Sequence, residues 1–206
     1  MKYYLHGIDQ TIVLGHTLPC VPTPKSHAQR NGILFVGALR DEGSPNVDSL
    51  LWFLINCLPH IEQQIPDLTF YIVGDNNVPS LATVAKDNIV FTGRLDSIDD
   101  YYNDCRAFIA PTRFAAGIPH KVHEAASKGL PSVTTTLLSR QLDWSHENQL
   151  LSADAADEYA AQCVRLYTDA ALWQSIRDAG LKAVEQDCSE SQFQNKLAEL
   201  FNTQTN

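Results

Sequence analysis

The chain has no long hydrophobic run, although 44% of its 206 residues are hydrophobic. Its longest apolar stretches, such as "LLWFLI", are far shorter than the about 20 residues that a helix needs to cross a bilayer. No basic segment followed by an apolar one opens the sequence, so no secretory signal is visible. We therefore expect a globular, cytoplasmic protein without an integral membrane segment.

Cysteine is scarce and scattered. The five cysteines are odd in number and never form a close pair; they are Cys20, Cys57, Cys105, Cys163 and Cys188. This distribution argues against a disulfide framework and against a zinc cluster, and it favours reduced thiols. We expect most of these side chains to fill the core.

Positive charge is also scarce, and the formal net charge is −9. A nucleic acid requires a basic face, so it is not an expected partner. One window differs, because residues 105–136 contain four positive residues and one acid, a net of +3. A small positive island suits a compact anion such as a nucleotide diphosphate. The alternative is that four cations in such a window arise by chance.

The chain divides at about residue 30. Residues 1–30 have no sustained periodicity and include "LPCVPTPK", with three prolines in six residues. This composition predicts an extended connector that crosses the surface, with a short strand near "TIVL". Residues 31–206 read as one domain.

Apolar runs alternate with helical patterns after residue 30. The runs "ILFVG", "LTFYIVG", "NIVFTG" and "AFIAP" predict strands buried on both faces, followed by "PSVTTT" and "QLLSA". The first helix is expected to begin after Ser44 as its N-cap. The last fifty residues predict helices only, with Asp154 as a cap and a break near Asp169. We expect an α/β fold, a Rossmann-like doubly wound parallel sheet with helical C-terminal packing.

Two common nucleotide-binding motifs are missing. The first strand is not followed by G-x-G-x-x-G, since "GALRDEG" lacks the spacing, and no G-x-x-x-x-G-K-[ST] loop occurs. Their absence disfavours a dinucleotide-dependent dehydrogenase and a P-loop kinase or ATPase. Glycine nevertheless ends three strands, at Gly37, Gly74 and Gly93. Each allows a ligand close to the backbone, or simply forms a turn.

The stretch "RFAAGIPHKVHEAASKGLP" is the candidate anion site. Small residues up to Gly117 leave the backbone accessible, and a helix that starts near Ile118 has unpaired N–H groups at its positive end. Arg113 and Lys121 can add charge-assisted hydrogen bonds to a diphosphate. Glu124, one turn further, can accept hydrogen bonds from ribose or hexose hydroxyls.

An ordinary exposed helix explains the same spacing equally well. His120 with Glu124, and Glu124 with Lys128, are i,i+4 pairs of the kind that stabilise surface helices. A metal site is not expected, because "HKVHE" lacks the H-E-x-x-H arrangement and an evident third ligand.

Several segments together carry a family resemblance. "FVGAL", "PNVDSLLWF", "YIVG", "VFTGRL" and "APTRFAAGIPHKVHEAASKGLPSV" resemble the C-terminal, donor-binding half of a GT-B glycosyltransferase of family 4 type (glycosyl transferases group 1). The resemblance covers roughly residues 31–201. It implies a retaining hexosyltransferase of polysaccharide biosynthesis, with a nucleotide-sugar donor and no cofactor or metal.

The resemblance also implies a second domain. Acceptor binding in this family belongs mostly to an N-terminal Rossmann-like domain, which nothing in the 206 residues resembles. Residues 1–30 resemble the family's connector between the two domains. We therefore expect a fragment or a subunit that transfers no sugar alone. Peripheral attachment to the inner membrane through that N-terminal half stays open.

The resemblance assigns roles to individual residues. Glu124 matches the second Glu of the E-x7-E motif, which contacts the donor ribose, and Lys121 is assigned to the diphosphate; these two are the catalytic candidates. The backbone at Gly117 and Ile118 is expected to face the phosphates or the sugar. The remaining candidates for donor binding are Gly37, Arg40, Gly93, Arg94, Arg113 and His120.

Two positions depart from the family pattern. Ala116 stands where the first Glu of E-x7-E is expected, and Ala38 stands at the usual Arg position after the first strand, with Arg40 as an approximate substitute. The departures leave two alternatives open. One is a degenerate nucleotide-binding or scaffold domain, and the other is half of a sugar-nucleotide epimerase of similar architecture.

Overall fold

The computed structural model describes residues 15–202, without the side chain of Asn202. Its centre is a six-stranded sheet in the order β3-β2-β1-β4-β5-β6, and every pairing is parallel. The strands are β1 (Ile33–Val36), β2 (Phe70–Val73), β3 (Ile89–Gly93), β4 (Ala107–Ala110), β5 (Ser132–Thr134) and β6 (Leu151–Ser152). All six strands lie in the predicted segments, so the Rossmann-like fold class is confirmed.

Helices connect the strands and cover both faces of the sheet. They are α1 (Pro45–Trp52), α2 (Leu58–Glu62), α3 (Pro79–Ala82), α4 (Asp99–Asp104), α5 (His120–Ser127), α6 (Thr136–Leu142), α7 (Ala156–Thr168), α8 (Ala170–Asp187) and α9 (Glu190–Asn202). A π-helical turn at Phe53–Cys57 joins α1 to α2. Of the helices within the described range, none has both the length and the apolar character needed to span a membrane.

Two apolar clusters hold these layers together, one on each face of the sheet. Phe35 of β1 belongs to the cluster that contains Val47 of α1, whereas its neighbour Leu34 belongs to the one that contains Val122 of α5. Adjacent residues of a strand point to opposite faces, which is why a continuous apolar run is buried on both sides. It follows that α1 and α5 lie on opposite faces of the sheet.

Local signals explain where two of the helices begin. The Ser44 side chain accepts a hydrogen bond from Val47 N, as predicted for the N-cap of α1. The Asp169 carboxylate accepts hydrogen bonds from two amides at the start of α8, which is the predicted break. Each bond satisfies an amide that the helix itself cannot pair.

Asp154 does not cap α7 as predicted. Its carboxylate instead accepts a hydrogen bond from Thr136 N at 2.9 Å, at the start of α6, a helix that the sequence pattern did not reveal. The N-cap of α7 is Ala155, without a side-chain hydrogen bond. The reason is tertiary: β5 and β6 are neighbours, so the loop after β6 reaches the helix that follows β5.

The described part of the predicted connector, residues 15–30, is extended apart from one 3-10 turn at His27–Gln29. Its backbone is held by hydrogen bonds such as Leu18 N to Cys188 O at 2.9 Å and Val21 N to Ser127 O at 3.0 Å. The predicted strand near "TIVL" lies outside the described residues. That this segment joins two domains stays a prediction.

Candidate functional site

A cavity of about 380 Å³ opens at the carboxyl ends of β1 and β4. These strands are neighbours, but the chain leaves β1 toward β2 and leaves β4 toward β5, so the order reverses between them. Because α1 and α5 diverge to opposite faces here, a crevice remains, and such crevices are where open α/β sheets bind ligands. The cavity is lined by Val36, Gly37, Pro45, Asn46, Thr112, Ala115, Ala116, Gly117, Ile118, Pro119, His120, Lys121, Glu124, Leu138 and Gln141.

The loop before α5 presents backbone amides to this cavity. Within residues 15–202, the N–H groups of Gly117, Ile118 and Lys121 donate no hydrogen bond, and no side chain caps α5. Gly117 has a φ of +92°, and a Cβ there would meet nothing within 4 Å. The left-handed backbone therefore requires glycine, and the space beside it is open.

The predicted set of free amides is only partly correct. The N–H of His120 donates to Ile118 O and that of Val122 donates to Pro119 O, both at 2.9 Å, so a tight turn pairs these groups internally. The helix begins at His120, later than expected. The amides left for a ligand are therefore mostly those of the loop.

Lys121 places an uncompensated positive charge in the cavity. Its Nζ donates to Asn46 Oδ1 at 2.8 Å and lies 5.0 Å from the centre of the Phe35 ring. Among the described residues, no carboxylate is within ion-pair distance of this amine. Burial lowers the pKa of Lys121 to about 8, so the charge is held at a cost that a bound anion would offset.

Glu124 lies one turn beyond Lys121 on the same cavity wall and is only partly exposed. The Tyr102 hydroxyl is buried close to this residue. Burial, and then the Glu124 charge, raises the pKa of the Tyr102 hydroxyl. Glu124 therefore belongs to the wall of the cavity and lies close enough to Tyr102 for its charge to act on that hydroxyl.

A second cleft of about 230 Å³ shares Val36 and Gly37 with the first and extends over the ends of β2 and β3. It contains two more predicted residues, Arg40 and Arg94. Arg40 pairs with Asp75 at 2.6 Å, and exposed Arg94 makes no ion pair within the described range. The two clefts adjoin at Val36 and Gly37, and together they make up a groove lined by residues after β1, β3 and β4.

Arg113 and Gly93 lie beside the groove rather than in its lining. The Arg113 guanidinium pairs through two nitrogens with Asp48 in the first turn of α1, which neutralises the charge that we expected at the diphosphate. Gly93 has a φ of +70° and accepts a hydrogen bond from Gly74 N, so it shapes the turn that leads to Arg94. His120 lines the first cavity, and its ring lies 3.9 Å from that of His16.

Sequence reasoning missed two residues of this site. Asn46 holds the Lys121 amine, and Gln141 of α6 lines the cavity while its Nε2 donates to Ala115 O at 3.1 Å. Asn46 lies in the first turn of α1, the helix that follows β1. Ligands at the ends of the strands lie next to this position, so the sequence could have identified Asn46. Gln141 carried no such signal, because α6 itself was not predicted.

Comparisons with known proteins agree with this architecture. The profile of the family described as "Glycosyl transferases group 1" matches residues 30–169. A search of curated proteins found no match. Solved structures, in contrast, share the fold at low sequence identity.

Three solved structures illustrate the likeness. A complex of a mutant TarM from S. aureus with fondaparinux, alpha-GlcNAc-glycerol and UDP is 13% identical, with a TM-score of 0.78 over 95% of this chain and 40% of TarM. HepE from Anabaena, in complex with UDP and glucose, is 16% identical, with a TM-score of 0.70 over 86% of this chain and 49% of HepE. The C-terminal domain of LpcC, a group 1 family protein from Francisella tularensis, is 13% identical, with a TM-score of 0.62 over 83% of this chain and 96% of that domain.

These alignments also set the extent of the likeness. The chain spans less than half the length of TarM and of HepE, but it matches nearly all of an isolated C-terminal domain. The fold, its C-terminal placement and the profile match over residues 30–169 agree, and the chain belongs to the group 1 glycosyl transferases.

Proposed function

We propose that this chain binds the nucleotide-sugar donor of a retaining glycosyltransferase, with the diphosphate in the cavity between β1 and β4. The observation that carries the proposal is Lys121, a partly buried amine without an acidic partner among residues 15–202, next to the free amides of the loop that leads into α5. Such a site is complementary to a compact anion, because the cation and the N–H groups are fixed before the ligand arrives.

The other candidate residues fit the rest of the donor. Glu124 is positioned to accept hydrogen bonds from ribose hydroxyls, and the cleft at Arg40 and Arg94 is continuous with the cavity and has room for the base. The diphosphate is the leaving group of sugar transfer, so Lys121 and the loop amides would stabilise the charge that develops on it. In this proposal they do so without a catalytic metal.

The solved relatives support the choice of ligand. TarM and HepE were both determined with UDP, and HepE also with glucose. We further propose that a second domain supplies the acceptor site, in which case the isolated chain binds donor without transferring sugar. The hexosyl group, a role in polysaccharide biosynthesis and a cytoplasmic location are parts of the same proposal.

Calorimetric titration of the chain with UDP and with GDP tests the proposal. We expect one nucleotide to bind with a dissociation constant between about 1 μM and 1 mM, the usual range of enzyme–substrate affinities. Lys121→Met should weaken binding, whereas Lys128→Met should not, because Lys128 pairs with Asp99 at the other end of α5.

One observation favours a second candidate, a scaffold domain that has lost its chemistry. Ala116 lines the cavity where the family motif has a carboxylate, so no acid at this position faces a transferred sugar. The titration separates the two candidates. Absence of binding for both nucleotides would refute donor binding and leave the scaffold.

A further inference from the structure

A cluster of possible metal ligands adjoins the proposed donor site, on the other side of Ile118 and Gln141. His16 comes from the extended segment, His123 from α5, and Cys188 from the end of α8. One ligand atom from each lies within 4.8 Å of those of the other two. His16 Nε2 is 3.8 Å from Cys188 Sγ, and the two imidazole rings are 5.1 Å apart.

Within residues 15–202, buried nitrogen atoms of this cluster have no hydrogen-bond partner. Neither Nδ1 nor Nε2 of His123 is paired, although the residue is only 5% exposed, and Nδ1 of His16 is also buried and unpaired. Most buried polar side chains are hydrogen-bonded, because desolvation without a partner is unfavourable. An imidazole with both nitrogens unsatisfied therefore indicates a ligand.

The chemistry and spacing of the donors suit Zn²⁺. Two imidazoles and a thiolate are typical zinc ligands, and tetrahedral coordination places such atoms about 3.3–3.8 Å from one another. The His16–Cys188 pair already has this spacing, so the widest separation in the cluster, at most 4.8 Å, must close by about 1–1.5 Å. The adjoining cavity also contains Gln141, whose Oε1 is buried and unpaired and can receive a water at the fourth position.

We propose that His16, His123 and Cys188 bind one Zn²⁺ ion, which attaches the segment after residue 14 to α5 and to the end of α8. The Cys188 thiol releases its proton to solvent when the metal binds. No disulfide or oxidant is involved. This inference does not depend on nucleotide binding, since none of the three ligands lines the cavity that contains Lys121 and Glu124.

The test is a titration of the metal-free, reduced 206-residue chain with Co²⁺. We expect a thiolate-to-cobalt charge-transfer band in the near ultraviolet that saturates at one equivalent and is abolished by one equivalent of Zn²⁺. Thermal unfolding followed in parallel should shift upward with Zn²⁺, because a ligand that binds only the folded state stabilises it.

Substitutions assign the site. Cys188→Ala should remove the charge-transfer band, whereas Cys57→Ala, a change at another buried cysteine, should keep it. His16→Ala lies on the extended segment outside the core and should weaken Co²⁺ binding at least tenfold without loss of folding. No charge-transfer band in the intact chain, or a band that persists in Cys188→Ala, would overturn the proposal.

Discussion

Lys121→Met is expected to change stability and nucleotide affinity in opposite directions. Methionine keeps the length of the side chain and its contact with Phe35, but it removes the charge and the hydrogen bond to Asn46. In a site that binds an anion, the partly buried cation destabilises the folded protein as long as no anion is bound. The substitution should therefore raise the stability of the free protein and lower its affinity for the nucleotide.

The structure gives the size of both effects. Burial lowers the pKa of Lys121 from 10.5 to about 8, and tenfold in proton affinity is about 1.4 kcal/mol, so the charged amine costs the folded state about 3 kcal/mol at pH 7. Loss of the hydrogen bond to Asn46 lowers the stability of the variant by about 1 kcal/mol. The net gain of about 2 kcal/mol should raise the Tm by about 4–8 °C.

Binding should move the other way. A charge-assisted hydrogen bond contributes about 1.5–3 kcal/mol, so UDP affinity should fall by about 10- to 150-fold. Urea unfolding measures the stability and calorimetry measures the UDP affinity of the same sample, with Lys128→Met as the control.

The sign of the pH dependence provides a further check. The folded amine of Lys121 is neutral above about pH 8, whereas the unfolded amine keeps its proton to about pH 10.4. Wild-type stability should therefore rise over this interval, and the advantage of Lys121→Met should disappear. A variant that is less stable than wild type at pH 7, or that binds UDP as tightly, would contradict the reasoning.

Three other substitutions test separate parts of the structure. Glu124→Gln should weaken UDP binding about 5- to 30-fold but leave inorganic pyrophosphate binding unchanged, because it removes a charged acceptor for ribose hydroxyls alone; equal losses for both ligands would place Glu124 at the phosphates. Gly74→Ala should lower the free energy of unfolding in urea by about 3–5 kcal/mol, since the new Cβ would lie 2.2 Å from Gly37 O at a φ of +137°. The control Gly43→Ala should be nearly neutral, because a Cβ there meets no described atom within 4 Å. Asp169→Ala should cost about 1 kcal/mol with an unchanged m-value, because its carboxylate accepts hydrogen bonds from two amides of α8; full stability in this variant would mean that the cap contributes nothing.

Much of the candidate site could be predicted because its residues are close in sequence. Gly117, Lys121 and Glu124 lie within eight positions of one another, in the segment that runs from β4 into α5. Local spacing thus specifies which side chains share one wall of the cavity. It does not specify what the opposite wall contributes, and this is why Asn46 was missed.

Arg113 shows how tertiary contacts redirect a locally reasonable prediction. The residue precedes the loop that leads into α5, as expected, yet its guanidinium pairs with Asp48 in the first turn of α1. The two residues are 65 positions apart. No local pattern reports such a pairing, so the loss of this cation from the site became visible only in the structure.

The order of apolar runs and helical patterns by itself determined the parallel, doubly wound sheet. A strand that is buried on both faces needs apolar residues at nearly every position, so such strands are visible in the sequence as continuous apolar runs. The tertiary structure alone decided which distant groups meet: Lys121 with Asn46, Asp154 with the start of α6, and His16 with His123 and Cys188. The physical reason is that burial depends on composition and local periodicity, whereas the partner of a polar group depends on which elements the sheet order places side by side.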